Sequence, residues 1–314
     1  MNRPLVVLLG ASGFVGSAVL EELARHPFRV RAVSRGKAAA PPGAVAEVEV
    51  HSADLTAPGA MAEAVADADV VIHSVAYIAG SSSWRIEDGD SGAERVNVGL
   101  VRDLVAALRD RPATKLVFVG ACSQVGPTSN PVLDGSEPDE PVGEYDRQKL
   151  TAERVVLEAS AAGLIRGTSV RLPTVFGPGA RDKGVVSLMA RRALSGKPIT
   201  MWHDGSVRRD LLHVRDAARA IVAAVGCAGC MGRYWVVGTG VGSPLGDVFR
   251  SVASLVGVRL GVAPVPVVSV EPPEYAEVSD FRDVVVDASA FRGKTGWRPE
   301  VPLERGLEEV VAAL

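Results

Sequence analysis

The chain has 314 residues, of which 47% are apolar, and it carries a formal net charge of −3. This length allows one large or two medium domains with an ample core. Interspersed acids and bases give no reason to expect a nucleic-acid partner or an anionic membrane surface. No apolar run approaches the length of a membrane span. The odd and small number of cysteines, three in all, suits a reducing compartment, so we expect a cytoplasmic protein without a membrane partner.

The first turn of the chain carries the clearest motif. Leu5–Leu9 is a short apolar run typical of a buried strand, GASGFVG follows it, and residues 14–23 have helical periodicity. Gly10 permits a sharp turn, Gly13 lets a phosphate approach the main chain, and Gly16 lets the helix pack closely on the strand. The helix N-terminus then faces the pyrophosphate of a dinucleotide. The apolar run is too short for an export signal.

The residues after the second predicted strand, Phe28–Val33, distinguish two cofactors. An acid at this place holds the ribose diol of NAD, whereas an arginine accommodates the 2′-phosphate of NADP. Here Ser34 and Arg35 follow the strand without an acid, and a guanidinium can bind phosphate through two hydrogen bonds. We therefore predict NADP(H). The alternative is that Arg35 is only a solvated loop residue.

Strands continue to alternate with helices as far as residue 171, which predicts an α/β fold with a doubly wound parallel Rossmann sheet. The later pattern is irregular and predicts a smaller C-terminal α+β substrate domain. The nucleotide domain is expected over 1–172 with 209–232 returning to it, and the substrate domain over 173–208 and 233–314. Strands are predicted at 45–50, 69–76, 114–120, 167–171, 199–202, 233–237 and 284–286, and helices at 93–108, 145–162, 184–194, 214–225, 245–256 and 303–314.

Several polar residues follow these strands. Asp54 could accept a hydrogen bond from an adenine amino group, or it could cap the helix that starts near Pro58. Trp84 and Arg85 lie in the loop after the fourth strand, where ligands bind in such sheets, so they are candidate substrate contacts; covering a helix is the alternative. His73, inside that strand, is expected to be a hydrogen-bonded core histidine.

The predicted helix 145–162 places Tyr145 and Lys149 four residues apart on one face. A neighbouring ammonium favours the phenolate, so we expect the Tyr145 pKa to fall below its ordinary ~10. Such a phenol can act as a general acid or base near neutral pH. The spacing alone is common, and its position after a dinucleotide turn and a fifth strand gives it weight.

The cysteines Cys227 and Cys230 form a CxxC. No second pair and no nearby histidine completes a zinc site, and the five histidines show no ligand spacing, so no metal is predicted. A redox pair and two incidental loop thiols both remain open.

In chain order, the motifs GASGFVG, ADL, Asn97, YDRQK, LPTVFGPG, RRDLLHVRDAA and TGWRP resemble those of the extended short-chain dehydrogenases/reductases, the epimerase/dehydratase superfamily, over essentially the whole chain. VAYIAGSSSWR, GSEPDEP and MWHDGSVRRDLLHV are more narrowly similar to actinobacterial NDP-hexose 4-ketoreductases. This resemblance implies reduction of a dTDP-4-keto-6-deoxyhexose by NADPH in antibiotic deoxysugar biosynthesis, by a homodimer. The alternatives are a 4-epimerase of a nucleotide sugar with tightly bound NAD, and a non-catalytic NADP-sensing protein.

The resemblance also implies roles for individual residues. Tyr145 would donate a proton to the sugar carbonyl oxygen, and Lys149 would hold the nicotinamide ribose. Asn97 would support a relay water or that lysine. Arg209 and Arg282 would bind the substrate diphosphate, with pairing to the neighbouring aspartate as the alternative for Arg209. The implied cofactor-binding set is Gly10, Ser12, Gly13, Phe14, Val15, Gly16, Ser34, Arg35, Asp54, Leu55, Val75, Ala76, Tyr145, Lys149, Leu172, Pro173 and Val175.

One position departs from the pattern of the family. The family usually has Ser or Thr just after the fifth strand, hydrogen-bonded to the substrate oxygen, and alignment on Gly126 puts Ala121 there. Cys122 and Ser123 follow directly. We predict that Ser123 takes this role, because a hydroxyl is a better donor than a thiol.

Overall fold

The computed structural model describes residues 3–77, 86–179, 184–202, 204–274, 276 and 278–314. The described strands are β1 (Leu5–Leu9), β2 (Arg29–Ser34), β3 (Glu47–Ser52), β4 (Val70–His73), β5 (Lys115–Ala121), β6 (Val132–Leu133), β7 (Arg166–Leu172), β8 (Thr174–Phe176), β9 (Ile199–Met201), β10 (Arg208–His213), β11 (Tyr234–Val236), β12 (Gly242–Pro244), β13 (Val267–Ser269) and β14 (Val285–Val286). The described helices are α1 (Phe14–Leu23), α2 (Ala60–Ala64), α3 (Ser91–Glu94), α4 (Leu100–Leu108), α5 (Glu144–Ala161), α6 (Val185–Leu194), α7 (Val214–Gly226), α8 (Leu245–Leu260), α9 (Ser289–Thr295) and α10 (Leu303–Ala313).

Seven parallel strands form the main sheet, in the order β11-β7-β5-β4-β1-β2-β3. From β1, the chain builds outward first through β2 and β3 and then, on the other side, through β4, β5 and β7. The direction of winding therefore reverses between β1 and β4, and the carboxyl ends of these two strands form the crevice where such sheets bind ligands. The predicted doubly wound Rossmann fold is confirmed.

Both faces of this sheet are covered. On β1, Val6 and Leu8 belong to the core beneath α1 and α7, whereas Val7 and Leu9 belong to the core beneath α4 and α5. Alternate residues of a strand point to opposite faces. A strand buried on both sides therefore needs an unbroken apolar sequence, which β1 has.

The smaller C-terminal α+β region has its own core between α6, α8 and α10. A separate three-stranded sheet, β12-β10-β8, lies beside it and mixes parallel and antiparallel pairing. The sequence did not predict these three strands: β8 and β12 have only three residues each, and β10 begins with charged residues and runs directly into α7. Among the described residues, no helix is long and apolar enough to cross a membrane.

The return of the chain to the main sheet extends further along the sequence than predicted, because β11 follows α7 there. β11 pairs with β7, so Tyr234 lies beside Ser169. Trp235, Phe291 and Trp297 pack in the core beneath α1 and α7. Residues that the predicted division places in the smaller region therefore complete the nucleotide half, because a single edge strand carries no local sign of the sheet that it joins.

Candidate functional site

The glycine turn has the shape of a phosphate cradle. Gly10 has φ +91°, and a Cβ at this position would lie 2.8 Å from Ser74 Oγ. A Cβ at position 16 would overlap the Gly10 carbonyl oxygen. Gly13 occupies the N-cap of α1 and brings no side chain to the first-turn N–H groups. The residues present thus fit the pyrophosphate of a dinucleotide, as predicted from their spacing.

The neighbouring strand ends complete this edge of the sheet. Ser74 N and Oγ both donate to the Leu9 carbonyl, at 3.0 and 2.8 Å. This pairing brings Val75, and with it Ala76, beside the turn, since a Cβ on Gly10 would lie 3.1 Å from Val75 N. Other predicted cofactor residues lie in the first turn of α1 (Phe14, Val15), after β3 (Leu55) and around the β7–β8 junction (Leu172, Pro173, Val175).

The segment after β2 lines a cleft of about 800 Å³ beside α1. Ser34 is buried and donates to the Gly36 carbonyl at 2.9 Å, whereas Arg35 is exposed. Lys37 lines the cleft together with Ser12 and Gly13. A second basic residue therefore lies near the glycine turn, and the sequence prediction did not include it.

Asp54 forms a local turn. Its Oδ1 accepts hydrogen bonds from Thr56 N at 3.0 Å and Thr56 Oγ1 at 2.7 Å, and these bonds lower the pKa of the carboxyl. The N-cap of α2 is Gly59. The alternative in which Asp54 caps that helix is therefore wrong.

Lys149 is a buried cation at the centre of the site. Its side chain is 4% exposed, and Nζ donates to the Val119 carbonyl and lies 4.2 Å from the centre of the Phe118 ring. Burial lowers its pKa to about 8, and the negative charges of Glu153 and Asp146 oppose that shift. Lys149 is therefore predominantly charged at pH 7, but its pKa lies only about one unit above that pH.

The predicted lowering of the Tyr145 pKa is wrong. Burial of the phenol, followed by the negative charge of Asp146, raises the pKa of Tyr145 above its ordinary value. The ammonium of Lys149 lies one turn further along α5 and donates to a β5 carbonyl. Tyr145 consequently remains protonated at neutral pH, as a proton donor must.

The two residues after β5 have different surroundings. Ser123 Oγ donates to Asp146 Oδ1 at 2.6 Å and so lies against the first turn of α5. The Cys122 thiol is buried and donates to the Arg171 carbonyl at 3.4 Å, and burial raises its pKa. Of the two candidates, Ser123 is the one whose side chain reaches the residue next to Tyr145.

Asn97 lies in a π-helical turn, Arg95–Gly99, that joins α3 to α4. Such turns are frequent at functional sites. Its Oδ1 accepts from Tyr77 N at 2.7 Å, and its Nδ2 donates to Gln148 Oε1 at 2.8 Å. Asn97 thus binds Gln148, the neighbour of Lys149, and fixes the backbone that follows β4.

The two predicted diphosphate-binding arginines differ. Arg209 Nη2 donates to the Asp280 carbonyl at 2.9 Å, and Nη1 donates to the Arg282 carbonyl. Arg282 keeps Nε and Nη1 buried without a hydrogen-bond partner among the described residues. Burial lowers the pKa of Arg282, and the charge of Asp146, the hydrogen-bond partner of Ser123, opposes that shift.

Asp210 does not pair with Arg209. Its carboxylate accepts from Thr239 N and Oγ1 at 2.9 and 2.8 Å, from Gly240 N at 3.0 Å and from Val286 N at 3.1 Å. Asp210 therefore connects β10 to β14, the strand that follows Arg282 in the chain.

His73 is buried, as expected, but its hydrogen bonding is not as predicted. Neither ring nitrogen has a hydrogen-bond partner among the described residues. Burial, followed by the charge of Lys149, lowers its pKa to about 3. His73 is therefore a neutral ring against Phe118, with a centroid distance of 5.8 Å.

A buried ion-pair network, absent from the sequence prediction, supports α5 from below. The Arg171 guanidinium donates to Asp139 at 2.6 and 2.9 Å and to Glu153 at 3.0 Å, and it lies 3.7 Å above the Tyr234 ring. Ser169 Oγ donates to Glu153 at 2.6 Å. One feature of the sequence could have indicated this network: Glu153 follows Tyr145 and Lys149 at the same spacing of four residues and therefore lies on the same side of α5.

Trp84 and Arg85 lie outside the described residues. Within the described part of the chain, no group of three or more His, Cys, Asp or Glu side chains could hold a metal ion.

The parallel sheet, its glycine turn and the Tyr–Lys helix define a dinucleotide-binding fold of the Rossmann type. Residues 6–238 match the NAD dependent epimerase/dehydratase family, and the chain belongs to that family.

Relatives align over nearly the whole chain. The dTDP-L-rhamnose 4-epimerase of Burkholderia thailandensis is 26% identical, covering 97% of this chain and 93% of that protein. The dTDP-6-deoxy-L-talose 4-dehydrogenase (NAD(P)(+)) of Kitasatospora kifunensis is 25% identical, covering 98% and 95%. Among solved structures, MoeE5 in complex with UDP-glucose and NAD superposes with a TM-score of 0.82 at 25% identity, covering 98% of this chain and 97% of that one.

Proposed function

We propose that the chain is a nicotinamide-dependent enzyme of nucleotide-sugar metabolism. More narrowly, we propose that it uses NADPH to reduce the C4 ketone of a dTDP-4-keto-6-deoxyhexose in antibiotic deoxysugar biosynthesis. The observation that carries this proposal is that two side chains beside Tyr145 meet the carboxyl end of β5: Lys149 Nζ donates to the Val119 carbonyl, and Asp146 accepts from Ser123 Oγ. This strand belongs to the same sheet as the glycine cradle. The names of the two dTDP-sugar relatives support the substrate class.

The proposed chemistry needs a proton donor and a positive charge. The nicotinamide, when bound, supplies the hydride. Tyr145 gives its proton to O4, and its raised pKa keeps that proton in place until the oxygen becomes basic. Lys149, charged below its pKa of about 8, then stabilises the phenolate that is left. Ser123 turns its hydroxyl from Asp146 to the carbonyl oxygen and orients it.

We propose different roles for the two arginines. Arg282 has buried donors without partners, and these suit the oxygens of a diphosphate. The donors of Arg209 go to the carbonyls of Asp280 and Arg282. Arg209 therefore positions the segment that carries Arg282 instead of binding the diphosphate itself.

The preference for NADPH rests on the charge around the glycine turn. No acid follows β2, so nothing there would repel a 2′-phosphate. Arg35 is exposed at the end of that strand, and Lys37 lines the cleft beside Ser12. Two cations can therefore reach a phosphate on the adenosine ribose.

The direct test follows reduced-nicotinamide absorbance with freshly made dTDP-4-keto-6-deoxy sugars, with NADPH and NADH in parallel. We expect consumption that strongly prefers NADPH. Tightly bound NAD in the protein as purified would instead support the 4-epimerase. NADPH binding without turnover of any such sugar would support the non-catalytic alternative.

Tyr145→Phe tests the proton donor. We expect turnover to fall by about 10²–10⁴-fold, because the acid is lost while the ring remains, and NADPH affinity to stay unchanged. Tyr234→Phe is the matched control, since its hydroxyl donates to the Gly135 carbonyl at 2.7 Å, away from the proposed chemistry. Unchanged turnover in Tyr145→Phe would exclude the assigned role.

The homodimer is also proposed, through the helices that carry Asn97 and Tyr145, and sedimentation of the purified protein measures it.

A further inference from the structure

The CxxC lies at the C-terminal end of α7, far along the chain from the residues of the proposed reaction. Cys227 caps the helix, and Ala228–Cys230 forms one 3₁₀ turn, in which Cys230 N donates to the Cys227 carbonyl at 3.2 Å. This turn places the two thiols close enough for Cys227 to contribute to the raised pKa of Cys230. The pair is therefore arranged for a short-range reaction between its two sulfurs.

The backbone of this turn is held firmly from one side. The Cys230 carbonyl accepts hydrogen bonds from Thr168 Oγ1 and from Trp235 Nε1, both at 2.8 Å. Both donors are buried and belong to the last two strands of the main sheet, β7 and β11. The sheet therefore fixes the Cys230 backbone within the turn that begins at Cys227.

The two thiols differ in access. Cys227 is half-buried, and its Sγ donates to the Lys294 carbonyl at 3.8 Å. Cys230 is fully buried, and burial raises its pKa to about 12. A reagent from solution therefore meets Cys227 first, while Cys230 remains protonated behind it.

A cation lies over the turn. A Cβ on Gly229 would be 3.6 Å from Lys294 Nζ, so the ammonium lies beside the residue that precedes Cys230. Lys294 is exposed and opposes the rise in the Cys230 pKa. A neighbouring cation favours the thiolate, which is the nucleophile in thiol–disulfide exchange.

We propose that Cys227 and Cys230 form a thiol–disulfide exchange site that is oxidised by a low-molecular-weight disulfide of the glutathione type. The Cys227 thiolate attacks one sulfur of that disulfide, forms a mixed disulfide and releases one glutathione thiolate. Cys230 then gives up its proton and attacks Cys227 Sγ, which forms the intrachain disulfide and releases the second glutathione. Two protein thiols are oxidised, and one glutathione disulfide is reduced to two glutathiones. This site goes beyond the proposed function and does not depend on it.

The test incubates the folded protein with glutathione disulfide, quenches with acid, and counts free thiols by alkylation in denaturant and mass spectrometry. We expect the parent to lose two of its three alkylatable cysteines and to retain no glutathione. Cys122 should stay reduced, because its thiol is 1% exposed and hydrogen-bonded to the Arg171 carbonyl.

Two serine variants separate the steps. Cys230→Ser should trap one glutathione on Cys227, because the resolving thiol is gone. Cys227→Ser should take up none, because Cys230 is buried. A parent that keeps all its thiols or that retains glutathione would overturn the proposal. Oxidation of Cys227→Ser as fast as the parent would overturn it too, and thermal melting of each variant confirms that it is folded.

Discussion

Two arginines in this protein, the buried Arg171 and the half-buried Arg282, have opposite surroundings. Arg171, which is 0% exposed, has two carboxylate partners, Asp139 and Glu153, and lies on the ring of Tyr234. Arg282 has two buried nitrogens with no partner among the described residues. Arg171 thus has hydrogen-bond partners within the protein, whereas two nitrogens of Arg282 lack them among the described residues.

The difference has a physical basis. A buried cation is costly unless its charge is paired and its N–H groups are hydrogen-bonded. Arg171 satisfies this requirement, and partner charges raise its pKa above the ordinary value despite burial. Burial lowers the pKa of Arg282, because neighbouring charges compensate only in part. We infer that Arg171 stabilises the fold, whereas Arg282 is available to bind an anion.

Lys149 lies between these extremes. It donates to one carbonyl and lies over one aromatic ring, and no described carboxylate forms a salt bridge with it. Glu153, the partner of Arg171, also acts on Lys149 through its charge. The ion-pair network of Arg171 is thus coupled electrostatically to Lys149 through Glu153, which lies on the same helix, α5.

The largest effect is expected for Arg171→Met. This change leaves the buried carboxylate of Glu153 and the half-buried one of Asp139 without their cation, so we expect the free energy of unfolding to fall by about 3–5 kcal/mol. Urea unfolding measures it. Arg282→Met is the matched control and should not lower stability, because Arg282 Nε and Nη1 make no hydrogen bond to the described residues. Equal losses in the two variants would refute the distinction.

A second test uses pH. The folded-state pKa of Lys149 is about 8, below the ordinary 10.5. The folded protein therefore releases this proton first, and the cost of burying the cation is present below pH 8 and disappears as pH rises from 8 to 10.5. At pH 7, the free energy of unfolding of Lys149→Met should therefore exceed that of the parent by about 3 kcal/mol. This difference should shrink as the pH rises from 8 to 10.5.

Unfolding both proteins in urea across that pH range measures the difference. Cys122, Cys230 and Tyr145, whose pKa values are raised, are common to both proteins, so their effects largely cancel. A difference that does not change with pH would show that Lys149 is not a destabilised cation.

The smallest expected effect is on substrate binding, and it rests on the proposed function. Arg282→Met should raise KM for the nucleotide sugar about 10–100-fold, the loss expected for a charged hydrogen bond. NADPH affinity should stay the same. Arg208→Met is the control, because Arg208 is exposed and its Nε donates to the Gly242 carbonyl at 2.9 Å. A KM unchanged in Arg282→Met would remove this residue from the proposed site.

The local features of this protein were predictable from its sequence. The glycine turn follows from the spacing of Gly10, Gly13 and Gly16 between a strand and a helix. The parallel sheet follows from alternating elements, and the face shared by Tyr145 and Lys149 follows from helical geometry. Each of these features depends on residues that are close in the chain and on periods set by the backbone.

The partners of the charged groups were decided by the tertiary structure. Arg171 meets Asp139, 32 residues away, and Arg209 meets the Asp280 carbonyl, 71 residues away. The direction of the Tyr145 pKa shift also came out opposite to the prediction, because burial by the whole fold outweighs one neighbouring ammonium. Charge pairing and desolvation depend on which distant segments are brought together, and sequence spacing does not contain that information.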